Sequence, residues 1–181
     1  MHTQTSPTPD TAADRVPDAL ELLHNEHKEL EALFKLYEFG RDRFLPGRKQ
    51  ELAEILCRAL KTHAIMEEEI FYPAIEDRIA DALSLVAEAR VEQNVLKVLI
   101  ADIETGMPGS IEYDADVKVL GEYVRHHIAD EERSLVTKVR EARFDLSVLG
   151  KQLLARKTEL INLPDKEFAD ADVIFGGGLA G

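Results

Sequence analysis

Apolar residues recur along most of this chain at steps of three and four, the spacing that lines one face of an α-helix. Leu20, Leu23, Leu30 and Phe34 make the first stripe, closed near Gly40. It is opened by Pro17 and Asp18, a proline suited to a first turn and an acid suited to the positive end of a helix dipole. After the punctuation of Pro46-Gly47, the run Leu52, Ile55, Leu56, Ala59, Leu60, Ile70 and Phe71 predicts a second helix over about 48–79, with Pro73 marking a kink or local break. Leu85, Ala89, Leu96, Ile100 and Ile103 predict a third, ending before the loop signal Gly106-Met107-Pro108-Gly109. Val117, Leu120, Val124, Leu135 and Val139 predict a fourth over about 112–143, and a shorter fifth, from Leu146 to Leu160, is expected to pack across one end.

Long helices joined by short connections must alternate in direction. The expected fold is therefore all-α: an up-down-up-down four-helix bundle with a short additional C-terminal helix. Residues 1–16, polar and proline-bearing, read as a disordered leader and 17–161 as the bundle. Residues 162–181, acidic and then rich in glycine at Gly176-Gly177-Gly178, read as a flexible tail.

Each stripe is interrupted by polar residues: His27 on the first, His63 and Glu67 on the second, Gln93 on the third, His127 and Glu131 on the fourth. The pairs His63/Glu67 and His127/Glu131 are four residues apart, so each pair projects from one helix face. The helix midpoints fall near residues 28, 63, 93 and 127, which puts the histidines and Gln93 at one level. The second and fourth helices point the same way, so Glu67 and Glu131 are displaced by one turn, about 5.4 Å, toward the same end.

Burying two carboxylates without compensation costs several kcal/mol per ion. No lysine or arginine lies on these stripes, whereas divalent cations would neutralise them. Mixed imidazole and carboxylate without thiolate suits iron or manganese, iron being the better match, and carboxylates from facing helices can bridge two ions. Zinc more often takes three histidines or thiolates in a tetrahedral site.

Charge and composition narrow the classes. Lys plus Arg total 22 against 35 Asp plus Glu, a formal charge of −13 over 181 residues, which argues against a general nucleic-acid surface or a membrane-binding one. The lone Cys57 permits no intramolecular disulfide and reads as a small core residue. No apolar run amounts to a secretory signal or to the roughly 18 residues of a membrane span, so the expected location is cytoplasmic.

The stretches Leu22-Leu23-His24-Asn25-Glu26-His27, His63-Ala64-Ile65-Met66-Glu67-Glu68-Glu69-Ile70-Phe71-Tyr72-Pro73, Val91-Glu92-Gln93 and His127-Ile128-Ala129-Asp130-Glu131-Glu132 together resemble a bacterial haemerythrin-like protein of the HHE cation-binding type, over roughly residues 18–160. The resemblance implies a non-haem diiron centre in a four-helix bundle, with His27, His63, Glu67, His127 and Glu131 on its ligand positions. Where the family carries a ligand histidine on the third helix, this chain has Gln93. The site is then expected to keep an additional open position, to recruit a neighbour, or to hold one iron firmly rather than two.

The recruits are Tyr123, four before His127, and the carboxylates Glu92, Glu68 and Glu132; His24 reads as a boundary residue and His126 as exposed. The implied ligand is a small oxidant such as O2, H2O2 or NO, with peroxidase- or catalase-like turnover or NO/O2-reactive chemistry as open possibilities. The alternative is a non-enzymatic iron- or oxygen-sensing module acting through a partner.

Overall fold

The computed structural model describes residues 15–176, with side chains as far as Ala171; residues 1–14 of the expected leader and 177–181 of the expected tail lie outside the described residues. The described residues are helical and form no strand. In chain order the α-helices are α1 (Ala19–Gly40), α2 (Pro46–Met66), α3 (Tyr72–Arg78), α4 (Leu83–Thr105), α5 (Ile111–Asp130), α6 (Val136–Ala142), α7 (Ser147–Asn162) and α8 (Asp165–Gly176). The chain runs without a break from α2 to α3 through a wider π turn, Glu67–Phe71, and from α5 to α6 through a second, Glu131–Leu135. Four long rods result, as the hydrophobic pattern predicts.

The start of α1 is built as the sequence suggests, with a refinement. Asp18 is the N-cap: its side chain accepts from the Glu21 backbone N–H at 2.9 Å while the Glu21 carboxylate accepts from the Asp18 N–H at 3.2 Å. This reciprocal box satisfies two donors that a helix end otherwise leaves open. Pro46 sits in the first turn of α2, where its missing N–H costs nothing.

In the bundle α1 packs on α2 and α5, and α4 packs on the same two. The rods that carry His63-x-x-x-Glu67 and His127-x-x-x-Glu131 therefore face each other across the diagonal, pointing the same way. The apolar core is divided in two. One cluster gathers Leu23, Met66, Phe71, Val86, Leu135 and Leu153; the other gathers Phe34, Leu56, Leu60, Leu96, Ile100 and Leu120. The polar interruptions of the stripes lie between them, so the bundle seals its site with hydrocarbon at both ends. Cys57 is buried in the second cluster, and burial pushes its thiol up to about 12, which makes it an inert packing residue.

Two segments differ from the sequence reading. The expected C-terminal helix, α7, packs along α1, α2 and the first π turn. The stretch 162–181, read as a flexible tail, is helical over Asp165–Gly176. Phe168 is buried, and Arg58 from α2 lies over its ring at 4.2 Å while pairing with Asp165 at 2.9 Å. A cation–π contact and one aromatic anchor thus fasten a segment whose composition alone suggests no structure.

The docking of α7 depends on Gly150. A Cβ there would come within 2.4 Å of the Pro17 carbonyl oxygen and 2.7 Å of the Asp18 carbonyl carbon, both backbone atoms that cannot swing aside. Gly150→Ala is therefore expected to destabilise the protein by about 2 kcal/mol or more, within the range of overpacking costs. Urea unfolding checks this: an unchanged midpoint would show that α7 does not sit this close to the start of α1.

Candidate metal centre

His27 from α1, His63 from α2, Gln93 from α4 and His127 from α5 all point inward and are buried, as are Glu67 and Glu131 at the starts of the two π turns. Donor atoms of His27, His63, Glu67 and Glu131 lie within 4.8 Å of one another. His63 Nε2 is 3.2 Å from Glu67 Oε1 on its own rod, but Glu131 meets an imidazole from another helix, His27 Nε2 at 3.3 Å. The rings of His27 and His63 stand edge to face with centroids 5.0 Å apart. His127 and Gln93 approach the cluster from the α4–α5 side. A cavity of about 10 Å³, lined by residues including Leu60, His63, Gln93, Leu96, Val124 and His127, sits there, space for about one water-sized molecule.

Every imidazole is held from behind by a carboxylate. Glu26 lies 3.0 Å from His63 Nδ1, Glu132 3.0 Å from His27 Nδ1, and Glu92 2.8 Å from His127 Nδ1. An ionised carboxylate only accepts, so Nδ1 donates in each case, and whenever the ring is neutral its lone pair sits on the inward Nε2. Carboxylate-oriented histidines of this kind are the usual surroundings of a metal ion. The three carboxylates also follow a rule: each is the sequence neighbour of an inward residue on the adjoining rod, Glu26 beside His27, Glu92 beside Gln93, Glu132 beside Glu131. By that rule Glu68, beside Glu67, would serve position 93 on α4. Position 93 holds Gln93, which offers no ring nitrogen, and Glu68 pairs with Lys97, one turn further along α4, at 3.1 Å.

The π turns add a residue that the spacing argument misses. In a regular helix a side chain five positions on is rotated by about 140°. Here the Tyr72 N–H bonds to the Glu67 carbonyl, five residues back, and the widened turn brings Tyr72 over Glu67. Its hydroxyl donates to Glu67 Oε2 at 3.1 Å and accepts from Gln93 Nε2 at 3.1 Å. Gln93 Nε2 also donates, over a very short contact, to the same Glu67 oxygen. Pro73 following Tyr72 is the only sequence mark of this turn; the second π turn, where Val136 N–H bonds to the Glu131 carbonyl, has no proline to announce it.

The other sequence candidates are placed less centrally. Tyr123 is 46% exposed and stands away from the cluster, so it supplies no phenol to the site. Glu68 is engaged by Lys97, and Glu92 by His127, so neither faces the inner donors. His24 is half-exposed at the edge and shares Glu132 with His27, at 2.9 Å, and His126 is exposed. Glu26, which the sequence reading assigns no role, is buried behind His63, and Lys157 from α7 lies 2.8 Å from its other oxygen.

The electrostatics describe a cluster shaped around positive charge. Burial works against the charge on Glu67, but His63, His127 and His27 outweigh it and hold the carboxyl at about 2. Burial and the charge of Glu67 push Glu131 up instead, toward its protonated form. Burial disfavours a charged His63, yet Glu67 and Glu26 raise it well above the ordinary imidazole value, and His127 is raised by Glu92 and Glu67 against its own burial. Burial also lifts the Tyr72 phenol, with Glu67 and Glu131 adding to the effect.

Buried polar atoms are normally hydrogen-bonded. Here the inward Nε2 atoms of His27, His63 and His127, Glu67 Oε1, Gln93 Oε1 and both Glu131 oxygens have no hydrogen-bond partner. Those of His27, His63, Glu67 and Glu131 converge on one place, with His127 and Gln93 across the small cavity from His63, and the set of nitrogen and carboxylate oxygen fits a first-row metal ion.

The sequence model of the Hemerythrin HHE cation binding domain matches residues 18–139. A DNA nickase of Nostoc sp. (strain PCC 7120) is 26% identical over 120 residues, 66% of this chain but 33% of that protein, so the chain spans about a third of the relative's length. A solved structure of a Hemerythrin HHE cation binding domain-containing protein from Mycobacterium kansasii superposes with a TM-score of 0.66 at 20% identity, over 79% of this chain and 86% of that one, a likeness of fold.

Proposed function

The chain belongs to the haemerythrin HHE cation-binding domain family, and on that premise we propose that its buried cluster holds iron, one ion firmly and a second less so, and binds or turns over a small oxidant such as dioxygen, peroxide or nitric oxide. The observation that carries the reading is the set of seven inward donor atoms left without hydrogen bonds between two apolar clusters. Iron held there would supply redox chemistry and exchangeable coordination positions.

The chain's own residues prepare for it unequally. His27, His63, Glu67 and Glu131 form one compact set. On the other side stand His127 and the unpartnered Gln93 amide oxygen, a weaker ligand than imidazole, while the phenol of Tyr72 lies between Glu67 and Gln93. Tyr72, not Tyr123, is the recruit this fold offers, and its hydroxyl holds a proton against Glu67. The adjoining cavity of about 10 Å³ is of the size of a single small molecule, and Leu60, Leu96 and Val124 line it with hydrocarbon.

The test is metal analysis of protein loaded anaerobically with ferrous iron, followed by absorption spectra after air or peroxide. About two iron per chain and a new ligand-to-metal charge-transfer band are expected, as for carboxylate-rich bundles with paired ions. No iron retained, or no band with either oxidant, would end the proposal. Gln93→His is expected to raise occupancy of the second position, because Glu68 already stands where it could hold the new ring from behind. Unchanged iron per chain in a folded variant would show that residue 93 does not limit the site.

A second reading, a sensing module, is favoured by one contact. Lys157 holds Glu26, and Glu26 holds His63, so the position of α7 is tied to the state of the centre. Equal protease sensitivity of α7 in metal-free and loaded protein would remove it. The activity named for the Nostoc relative is not part of this proposal: the orphaned donors are buried beyond the reach of a nucleic-acid backbone, and the surface charge opposes its approach.

A further inference from the structure

A second group of ligand-type side chains lies outside the buried centre. Glu92 on α4 and His126 and Asp130 on α5 bring one donor atom each within 4.8 Å of one another. His126 Nε2 is 3.4 Å from Asp130 Oδ2 and 4.0 Å from Glu92 Oε1. The pair His126-x-x-x-Asp130 repeats, one residue earlier, the spacing of His127-x-x-x-Glu131, so one pair faces out and the other in. Glu92 belongs to both sets, because its other oxygen lies on His127 Nδ1 at 2.8 Å.

Exposed acids alone would mean little. Beside this group, however, opens a cleft of about 100 Å³ lined by residues including Glu88, Glu92, Asp130, Arg133 and Glu131. Glu131 is 4% exposed, and neither of its carboxylate oxygens has a hydrogen-bond partner. The cleft thus runs from the two carboxylates of the exposed group, Glu92 and Asp130, to the residue that carries an unsatisfied carboxylate of the buried centre, Glu131. Three carboxylates of its mouth, Glu88, Glu92 and Asp130, draw cations in. Arg133 opposes them: it is an exposed side chain paired closely with the other oxygen of Asp130.

We propose that Glu92, His126 and Asp130 form a loading station that captures divalent metal ions and passes them along this cleft to Glu131. The station rests on the reading that the buried cluster holds metal. Its three donors are partly exposed and few, so an ion is held weakly enough to leave, and Glu131 and His127 lie directly inward of it.

The experiment mixes the metal-free full chain with ferrous iron without oxygen and follows loss of chelator-accessible iron with time. His126→Ala, at a side chain 63% exposed, is expected to slow uptake about tenfold or more, because the station loses its imidazole, one of three donors, while final iron per chain stays the same. Arg133→Ala is expected to speed uptake, an effect that a structural role for the station would not produce. Equal uptake rates in the parent and His126→Ala overturn the station, and so does a lower final iron content at an unchanged rate. If the parent takes up no iron, the buried-centre reading fails, and the station is then decided by Mn(II) titration watched on the histidine ring proton signals. Broadening of His126 before the buried histidines, abolished in Asp130→Asn, supports it; no such order overturns it.

Discussion

Removing the metal from loaded protein is expected to lower the melting temperature by roughly 10 °C. A ligand that binds only the folded state stabilises it by about 4 kcal/mol when present at a thousand times its Kd, and in a chain of this size each kcal/mol moves the midpoint by about 2–4 °C. The structure supplies the physical reason. Without a cation the core contains two carboxylates and three imidazoles whose inward atoms are unpartnered, and each unsatisfied buried group costs about 1–3 kcal/mol. The protein meets part of this by carrying protons: His63 is raised and Glu131 is pushed toward its neutral form. A bound ion would satisfy the same atoms directly. Calorimetric melts with and without chelator decide the matter, and coincident transitions would mean that the cluster binds nothing worth its desolvation.

The second large effect separates the proposed metal role of Glu67 from its role in folding. Glu67→Gln is expected to weaken iron retention by more than about a hundredfold, beyond the 10–100-fold typical of residues that only orient ligands. The metal-free variant should nevertheless still fold, with a lower urea midpoint. The new amide keeps the volume and its oxygen still accepts from Tyr72 and Gln93 at the position of Glu67 Oε2, but the favourable pairing of the ionised carboxylate with the surrounding imidazoles is lost. Competition against a chelator of known affinity measures the first quantity, and urea unfolding of the metal-free proteins measures the second. Parental iron affinity in the variant would remove Glu67 from the site. Loss of both iron and fold would instead make it a structural residue.

The comparison of Tyr72 with Tyr123 shows how far helical spacing reaches. Tyr123 lies four before His127, and a step of four drifts about 40° around the helix. The inward stripe of α5 passes through Val117, Leu120, Val124 and His127, one position beyond Tyr123, which is left half-exposed. Tyr72 lies five after Glu67, a spacing that a regular helix would turn away, and only the π turn brings it back. π turns of this kind are uncommon and often mark functional positions. The local sequence hints at one of them through Pro73 and at the other not at all.

The last helix is illegible in the sequence for a different reason. The stretch after Asn162 is short, acidic and bounded by Pro164 and the glycines 176–178, so its own pattern predicts no stable helix. What holds α8 is Arg58, more than a hundred residues earlier, which pairs with Asp165 and covers Phe168.

From its own pattern, the chain dictates four amphipathic rods, their alternation, and the level at which His27, His63, Gln93 and His127 interrupt them. These follow from a 3.6-residue period and short loops, both local properties. It also dictates the two His-x-x-x-Glu pairs, though not their partners. The tertiary structure alone decides that Glu131 meets His27, that Glu26, Glu132 and Glu92 each hold an imidazole on a neighbouring rod, that Lys157 of α7 stands behind Glu26, and that Glu68 pairs with Lys97. Those pairings depend on the rotation and separation of helices that are distant in sequence. Periodicity sets which face is inward, and only the packing of one face on another selects which atoms meet.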